Sequence, residues 1–326
     1  MRVINLIKKY KPIDLNKVKT ISIRKRKSKV KVKDFAKVTL KGEPFDKFLS
    51  SLPQILAGED FRKIVGSIVR AYQKEKPVIA AMGAQVIKCG LSPIIIDLME
   101  KRIITAIALN GAGVIHDVEI ALFGETSEEV EEGLKSGMFG MARETSEFIN
   151  LEIRRKTPGV RGYGEKMGKA LTKSKARYID YSILAKAYKL KIPVTVHLAL
   201  GTDINHMHPS FEGGAGGRAS LYDFRLFTSV VKDLGGGGVL LNIGSAVILP
   251  EVILKAINVA KNLGYDLRGS IGVNLDFIQH YRSSQQVVNR IKVVGGKGYS
   301  ITCHHELIIP LLARAVVENV KIKDKT

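Results

Sequence analysis

The stretch 103-IITAIALNGAGVIHDVE-119 passes from a β-branched run, through a turn with two glycines, into residues spaced as on a helix. The same order recurs along the chain. The run 77-PVIAAM-82 meets 83-GAQVIKCG-90, 193-PVTVHLAL-200 meets 201-GTDINHMHPSFEGG-214, and 238-GVLLNI-243 meets 242-NIGSAVILPE-251. A further run, 269-GSIGVNL-275, ends on Asn274 and Leu275, and 298-GYSITC-303 gives way to a helix. Short apolar runs without polar alternation are those of strands covered on both faces, as in a parallel sheet between helices. Amphipathic stretches lie between them: 92-SPIIIDLMEKR-102, 127-SEEVEEGLK-135, 143-RETSEFINLEIRRK-156, 177-RYIDYSILAKAYKL-190 and 250-PEVILKAINVAKNLG-264. Strands alternating with helices predict an α/β fold with a Rossmann-like, doubly wound, mostly parallel sheet over residues 77–326.

Residues 1–76 read differently. The first 49 hold sixteen Lys/Arg against four Asp/Glu, a net +12 of the +21 carried by the chain. The stretch 24-RKRKSKVKVKDFAK-37 alternates basic and apolar residues from Val30, which predicts an edge strand within a basic arm over 1–44. Two helices follow, at 45–56 and 59–73. Clustered cations fit contact with nucleic acid, but no aromatic residue interleaves with these lysines. A lysine-rich solvated surface fits them equally.

At 45% hydrophobic and 25% charged residues the chain is of globular composition. Charges interrupt every apolar run before it could span a bilayer, and the N-terminus lacks a secretory leader pattern. Two cysteines, Cys89 and Cys303, are too few for a disulfide framework. A reduced, cytoplasmic protein is the expectation.

In an open α/β sheet, ligands bind beyond the carboxyl ends of the strands. Gly83, Lys88, Asn110, Gly111, Ala112, Gly113, Gly244, Ser245, Asn274 and Asp276 stand there and are candidates for a nucleotide cofactor. Glycines let backbone N–H groups approach a phosphate at a helix N-terminus. His116 takes the place of the third glycine of the dinucleotide fingerprint. All seven histidines fall after residue 115, near these strand ends. In a helix, His116 and Glu119 share a face, with Asp117 between them. In an extended segment, His206 and His208 face one side and could both reach a divalent metal. His304, His305 and Glu306 stand where the last strand gives way to a helix. Metal ligands, ligand-contacting groups and purely structural histidines all remain open.

The blocks 83–119, 193-PVTVHLALGTD-203, 222–264 and 307-LIIPLLARAV-316 resemble deoxyhypusine synthase and its relatives, between about residues 77 and 317. The resemblance implies a Rossmann-like fold binding NAD at the strand ends, in a homotetramer with active sites between subunits. It also implies a reaction: transfer of the aminobutyl group of spermidine to a lysine of a translation factor, through an imine on an active-site lysine. Asn110-Gly111-Ala112-Gly113 stands at the family's threonine-alanine-glycine-glycine loop, Gly244-Ser245-Ala246 at its triple glycine, and Asn274 at a strand-closing asparagine.

The chemical residues depart from the pattern. Leu249-Pro250-Glu251 replaces the lysine-histidine-histidine run that holds the base. Ile115 and His116 replace paired glutamates, and His280–Ser284 replaces the acidic polyamine site. The tryptophan-glycine-lysine motif is missing, and Lys292, which falls nearby, is not assigned its role. The expectation is a deoxyhypusine synthase-like enzyme, with NAD as cofactor and a different, neutral or anionic small-molecule substrate. His116, Asp117 and Glu119 would supply acid–base groups, and His206, His208, His304, His305 and Glu306 would complete the pocket. The rivals are a metal-dependent enzyme on the same fold and a non-enzymatic RNA-binding protein.

Overall fold

The computed structural model describes residues 10–321, so the first nine residues of the basic arm lie outside it. The chain runs α1 (Phe45–Ser51), α2 (Leu56–Gln73), β1 (Val78–Met82), α3 (Gln85–Lys88), α4 (Ser92–Glu100), β2 (Ala106–Asn110) and α5 (Gly111–Phe123). Then follow α6 (Val130–Ser136), α7 (Arg143–Arg154), α8 (Tyr163–Lys173), α9 (Ile183–Leu190), β3 (Val194–His197) and α10 (Gly213–Val231). The last elements are β4 (Val239–Ile243), α11 (Ile248–Asn262), β5 (Ile271–Asp276), α12 (Arg290–Val293), β6 (Lys297–Thr302) and α13 (His305–Asn319).

The six strands form one sheet in the order β3-β2-β1-β4-β5-β6, every neighbouring pair parallel. This is the doubly wound Rossmann order, and it reverses between β1 and β4. The pleat decides which layer each residue joins. Val78, Ala80 and Met82 of β1 and Ile107 and Leu109 of β2 pack with α2, α4, α5, α8, α9 and α13. Ile79, Ala81, Ala106 and Ala108 face Phe227 and Val231 of α10 and Leu249, Ile253 and Ile257 of α11. Each such large side chain, fully withdrawn from water, contributes about 1.5–3 kcal/mol. Helix α2, grouped with the arm by sequence, lays Phe61, Ile64 and Ile68 in the same core as the sheet.

Three segments differ from the sequence expectation. Residues 24–37 form 3-10 turns, Ile23–Lys25 and Val32–Asp34, instead of a strand, because among the described residues no neighbouring strand completes a ladder there. The stretch 177–190 is not one helix: a 3-10 turn, Ile179–Tyr181, precedes α9, whose first turn is capped by Ser182. Gly213, Gly214, Gly216 and Gly217, whose composition argues for a close turn or a lid, open α10 instead. Glu212 accepts from the Ala215 N–H at 2.8 Å, and a Cβ on Gly216 would press on the Phe211 ring at 3.2 Å. Among the described residues, no helix is long and apolar enough to cross a membrane.

Candidate active site

The carboxyl edge of β1, β2 and β3 opens on a cleft of about 590 Å³. Its walls come from α3, α5, the loop 125–128, α7 and the loop after β3. His116 and Glu119 face it from one side of α5, as their spacing predicts. The His116 Nδ1 lies 2.6 Å from the Thr126 hydroxyl, which donates to Glu119 Oε2. Thr145 donates to the other oxygen of Glu119 at 3.2 Å. Since the Thr126 proton goes to the carboxylate, its oxygen accepts from His116, which fixes the proton on Nδ1. Nε2 is left with its lone pair, has no protein partner among the described residues, and opens on the cleft.

Burial, with the Lys88 ammonium on the cleft wall, pushes the His116 imidazole down to about 4, so the ring is neutral at pH 7. Burial raises Glu119, opposed by its two hydroxyl donors. The imidazole is thus neutral, held in one tautomer and backed by a carboxylate through a hydroxyl, and it presents the Nε2 lone pair to the cleft.

Five carboxylates line this cleft: Glu119, Glu125, Glu128, Glu144 and Asp203. Lys88 is the one lysine among them. This excess of negative charge comes from residues outside 280–284, on whose sparse carboxylates the expectation of a neutral or anionic substrate rested. The acidic wall comes from residues 119–144 and 203 instead.

Asp203 was not singled out by sequence. Burial lifts it to about 6, opposed by the Ala112 N–H that donates to it, and among the described residues its Oδ2 has no hydrogen-bond partner. It closes over the start of α5: a Cβ on Gly111 would stand 1.9 Å from Asp203 Oδ2. Asn110 caps the same turn, accepting from the Gly113 N–H at 3.0 Å. The turn Asn110–Gly113 is therefore filled by the protein's own acceptors, and Gly111 is required by Asp203.

Asp117 points away from the cleft. Fully buried, it accepts from the Ser182 hydroxyl at 2.6 Å and from the N–H groups of Ile183 and Leu184 at 2.7 and 3.3 Å, fastening the start of α9. Asp223, overlooked by sequence, does similar work between α10, α8 and β3. It accepts from Gly164 and Val196 at 2.9 and 2.8 Å.

The remaining histidines do not line the cleft. Residues Ile204–His206 form a 3-10 turn, so the extended geometry that would aim His206 and His208 at one ion is not present. His206 accepts at Nδ1 from the Gly201 N–H at 3.1 Å, and its buried Nε2 stands 3.8 Å from Asp203. His208 turns to Ser210 at 2.7 Å. Asn150 of α7 donates to Asn205 and Ser210 and holds this loop down. His305 is buried against Gly244, with Nε2 3.3 Å from the Leu275 carbonyl and 3.8 Å from Asp276. His304 is exposed and stacked on Phe277, and Glu306 lies beside it at 3.6 Å. Among the described residues, no three His, Cys, Asp or Glu groups converge as metal ligands.

The switch point between β1 and β4 is the second feature of this edge. Gly83 lies so close that a Cβ there would meet the Gly244 carbonyl at 2.3 Å, while Gly244 itself has φ +65°. Beneath the loop, Asn242 donates to the Ser245 carbonyl at 2.9 Å and to Asn274 at 2.7 Å, and Ser283 donates to the same carbonyl. Asn274 is wholly buried, so it shapes the loop from below. At the start of α11 the N-cap residue Val247 makes no side-chain bond, and Ser245 Oγ accepts from the Leu249 N–H at 3.3 Å. Among the described residues, the N–H groups of Ala246, Val247 and Ile248 meet no protein acceptor. This is the donor set that a phosphate takes at a helix N-terminus. A nucleotide cofactor therefore fits at α11, whereas the start of α5 is already filled.

No protein-family model matches the chain, and no curated protein is similar to it by sequence. Solved structures share the fold at low identity. One is a putative deoxyhypusine synthase from Entamoeba histolytica, 13% identical, covering 87% of this chain and 96% of that one, with a TM-score of 0.53. Another is AgrE in its ternary complex with ornithine and NAD+, 12% identical, covering 79% of this chain, with a TM-score of 0.54. The matched part spans only 32% of AgrE. AgrE with its cysteine 264 changed to alanine, bound to L-arginine, matches at 14% identity with a TM-score of 0.51.

Proposed function

We propose that the protein is an NAD-dependent enzyme that oxidises a carbon bearing an amine, with His116 as the base. The observation that carries this reading is the chain Glu119–Thr126–His116, ending in a free Nε2 on the wall of an acidic cleft. NAD supplies a hydride acceptor, and the N–H groups of Ala246, Val247 and Ile248 at the start of α11, with Gly83 and Gly244 beside them, would hold its phosphates. His116 Nε2 takes the proton that leaves the substrate nitrogen. The imidazolium so formed is stabilised through Thr126 by Glu119. Glu125, Glu128, Glu144 and Asp203 hold and orient a positively charged substrate, a role carboxylates serve for ammonium groups. The fold shared with an NAD+-bound AgrE supports the choice of cofactor.

A panel of primary and secondary amines, amino acids and hydroxy acids, each mixed with NAD, tests the reading through the absorbance of reduced nicotinamide. Amines should turn over, and His116→Gln should lower the rate by about 10²–10⁴, the usual worth of a positioned base. Turnover of hydroxy acids alone, or an unchanged rate in His116→Gln, would refute it.

A further inference from the structure

A second cavity, of about 470 Å³, lies between the end of α7 and α8 and shares no lining residue with the acidic cleft. Phe148, half-buried, forms part of its lining, and Arg155, Lys156, Lys166, Lys169 and Lys173 surround it. Lys166 is used internally: its ammonium donates to the carbonyls of Ile153 and Arg155 at 2.6 and 2.8 Å, tying the end of α7 to α8. Arg155 pairs with Glu152 at 2.7 Å. No ion pair is found for Lys156, Lys169 or Lys173 among the described residues.

From residue 152 to residue 177 the sequence has nine Lys/Arg and two Glu. Cations are favoured in the last turn of a helix, which accounts for Arg154 and Lys173. It does not account for Lys169, in the body of α8, which has Lys173 four residues after it and, among the described residues, makes no ion pair with Glu165 four residues before it. Nor does it account for Lys156, beyond α7.

We infer that this cavity binds the phosphodiester backbone of a single-stranded nucleic acid, with a base against Phe148. Unpaired ammonium groups around an aromatic side chain are what such strands use, phosphates meeting cations while a base stacks. A lone phosphate would leave most of the patch idle. Arg154, Arg161, Lys175 and Arg177 carry the positive surface beyond the cavity and are all exposed, which suits a chain of phosphates.

Fluorescence anisotropy of the full chain with a labelled oligouridylate of about ten nucleotides tests this, since sites of about 4–16 nucleotides are usual. An oligothymidylate of equal length distinguishes RNA from DNA as the source of the strand. Binding should weaken with salt at a log–log slope of about −2 to −3, as expected for three or four phosphates. Lys169→Glu with Lys173→Glu should weaken it at least about tenfold and flatten that slope by about 1 to 1.5. Phe148→Leu should weaken it about tenfold through lost stacking. Lys169→Gln with Lys173→Gln serves if the charge reversal disturbs folding. Equal affinity in the lysine variants would overturn the inference. So would tighter binding of a duplex than of the single strand, or binding that vanishes only when residues 1–44 are removed.

Discussion

Replacing His116 by glutamine keeps a side chain on the cleft wall but removes the group that resists protonation. In the folded protein His116 titrates at about 4, against 6.5 for a free imidazole. The folded pKa is the lower one, so between these values the unfolded chain binds more protons. The contribution is fully present above about pH 6.5 and is lost as pH falls toward 4. With these two values the loss between neutral pH and about pH 4.5 is about 2 kcal/mol. The side chain is 17% exposed, so solvent screening takes little from that figure.

Other buried groups titrate in the same range. His197, pushed to about 3 by burial, loses stability in the same direction. Asp117, Asp203 and Asp223, raised by burial to about 6, 6 and 7, act in the opposite direction. The difference between wild type and variant isolates His116. Urea denaturation followed by circular dichroism, at neutral pH and at about pH 4.5, should show the wild type losing about 2 kcal/mol more than His116→Gln. Parallel losses would mean that the imidazole is not held neutral by burial.

Thr126→Val removes the hydroxyl between His116 and Glu119. Nitrogen-15 spectra should then show the ring leaving the Nδ1–H tautomer; a wild-type ring already protonated at Nε2 would contradict the relay. Asp117→Ala strands the Ser182 hydroxyl and two N–H groups, so it should cost about 3 kcal/mol in chemical denaturation. Ligand affinity should stay unchanged where the variant is folded, and a selective loss of affinity would return Asp117 to the site. Spermidine, NAD and the acceptor translation factor should leave that factor unmodified, because Pro250 stands where the resembled family has its base histidine and no tryptophan-glycine-lysine motif is present. Appreciable labelling of its lysine would sink that expectation.

Strands β1 to β5 were legible because burial leaves uninterrupted apolar runs, as in 238-GVLLNI-243, whereas β6 at the sheet edge is largely half-exposed. So was the pairing of His116 with Glu119, which follows from helical spacing alone. The glycines at 213–217 misled because composition argues for a turn, while the Phe211 ring packs on Gly216 within a helix. The H-M-H segment misled in a related way, since a 3-10 turn cannot be told from an extended strand over three residues. Asp117 and Glu119 look equivalent in sequence, but the helix sends one into the core and the other to the cleft. Thr126 carried no signal, being one hydroxyl in a polar loop. The acidic wall was scattered over α5, a loop, α7 and the segment after β3, and only folding gathers it. Asp203 alone left a trace, as the carboxylate that follows a strand end in 201-GTD-203.

On the proposed function, NAD lies with its phosphates on the N-terminus of α11. Isothermal titration of NAD into the wild type and into Ala246→Glu measures it most directly, because that residue is half-exposed and its substitution places a negative charge among the free N–H groups. The wild type should bind NAD with measurable heat, and Ala246→Glu should bind at least about tenfold more weakly, the worth of about 1.4 kcal/mol. No heat with the wild type, or equal affinity in the two proteins, would contradict the account.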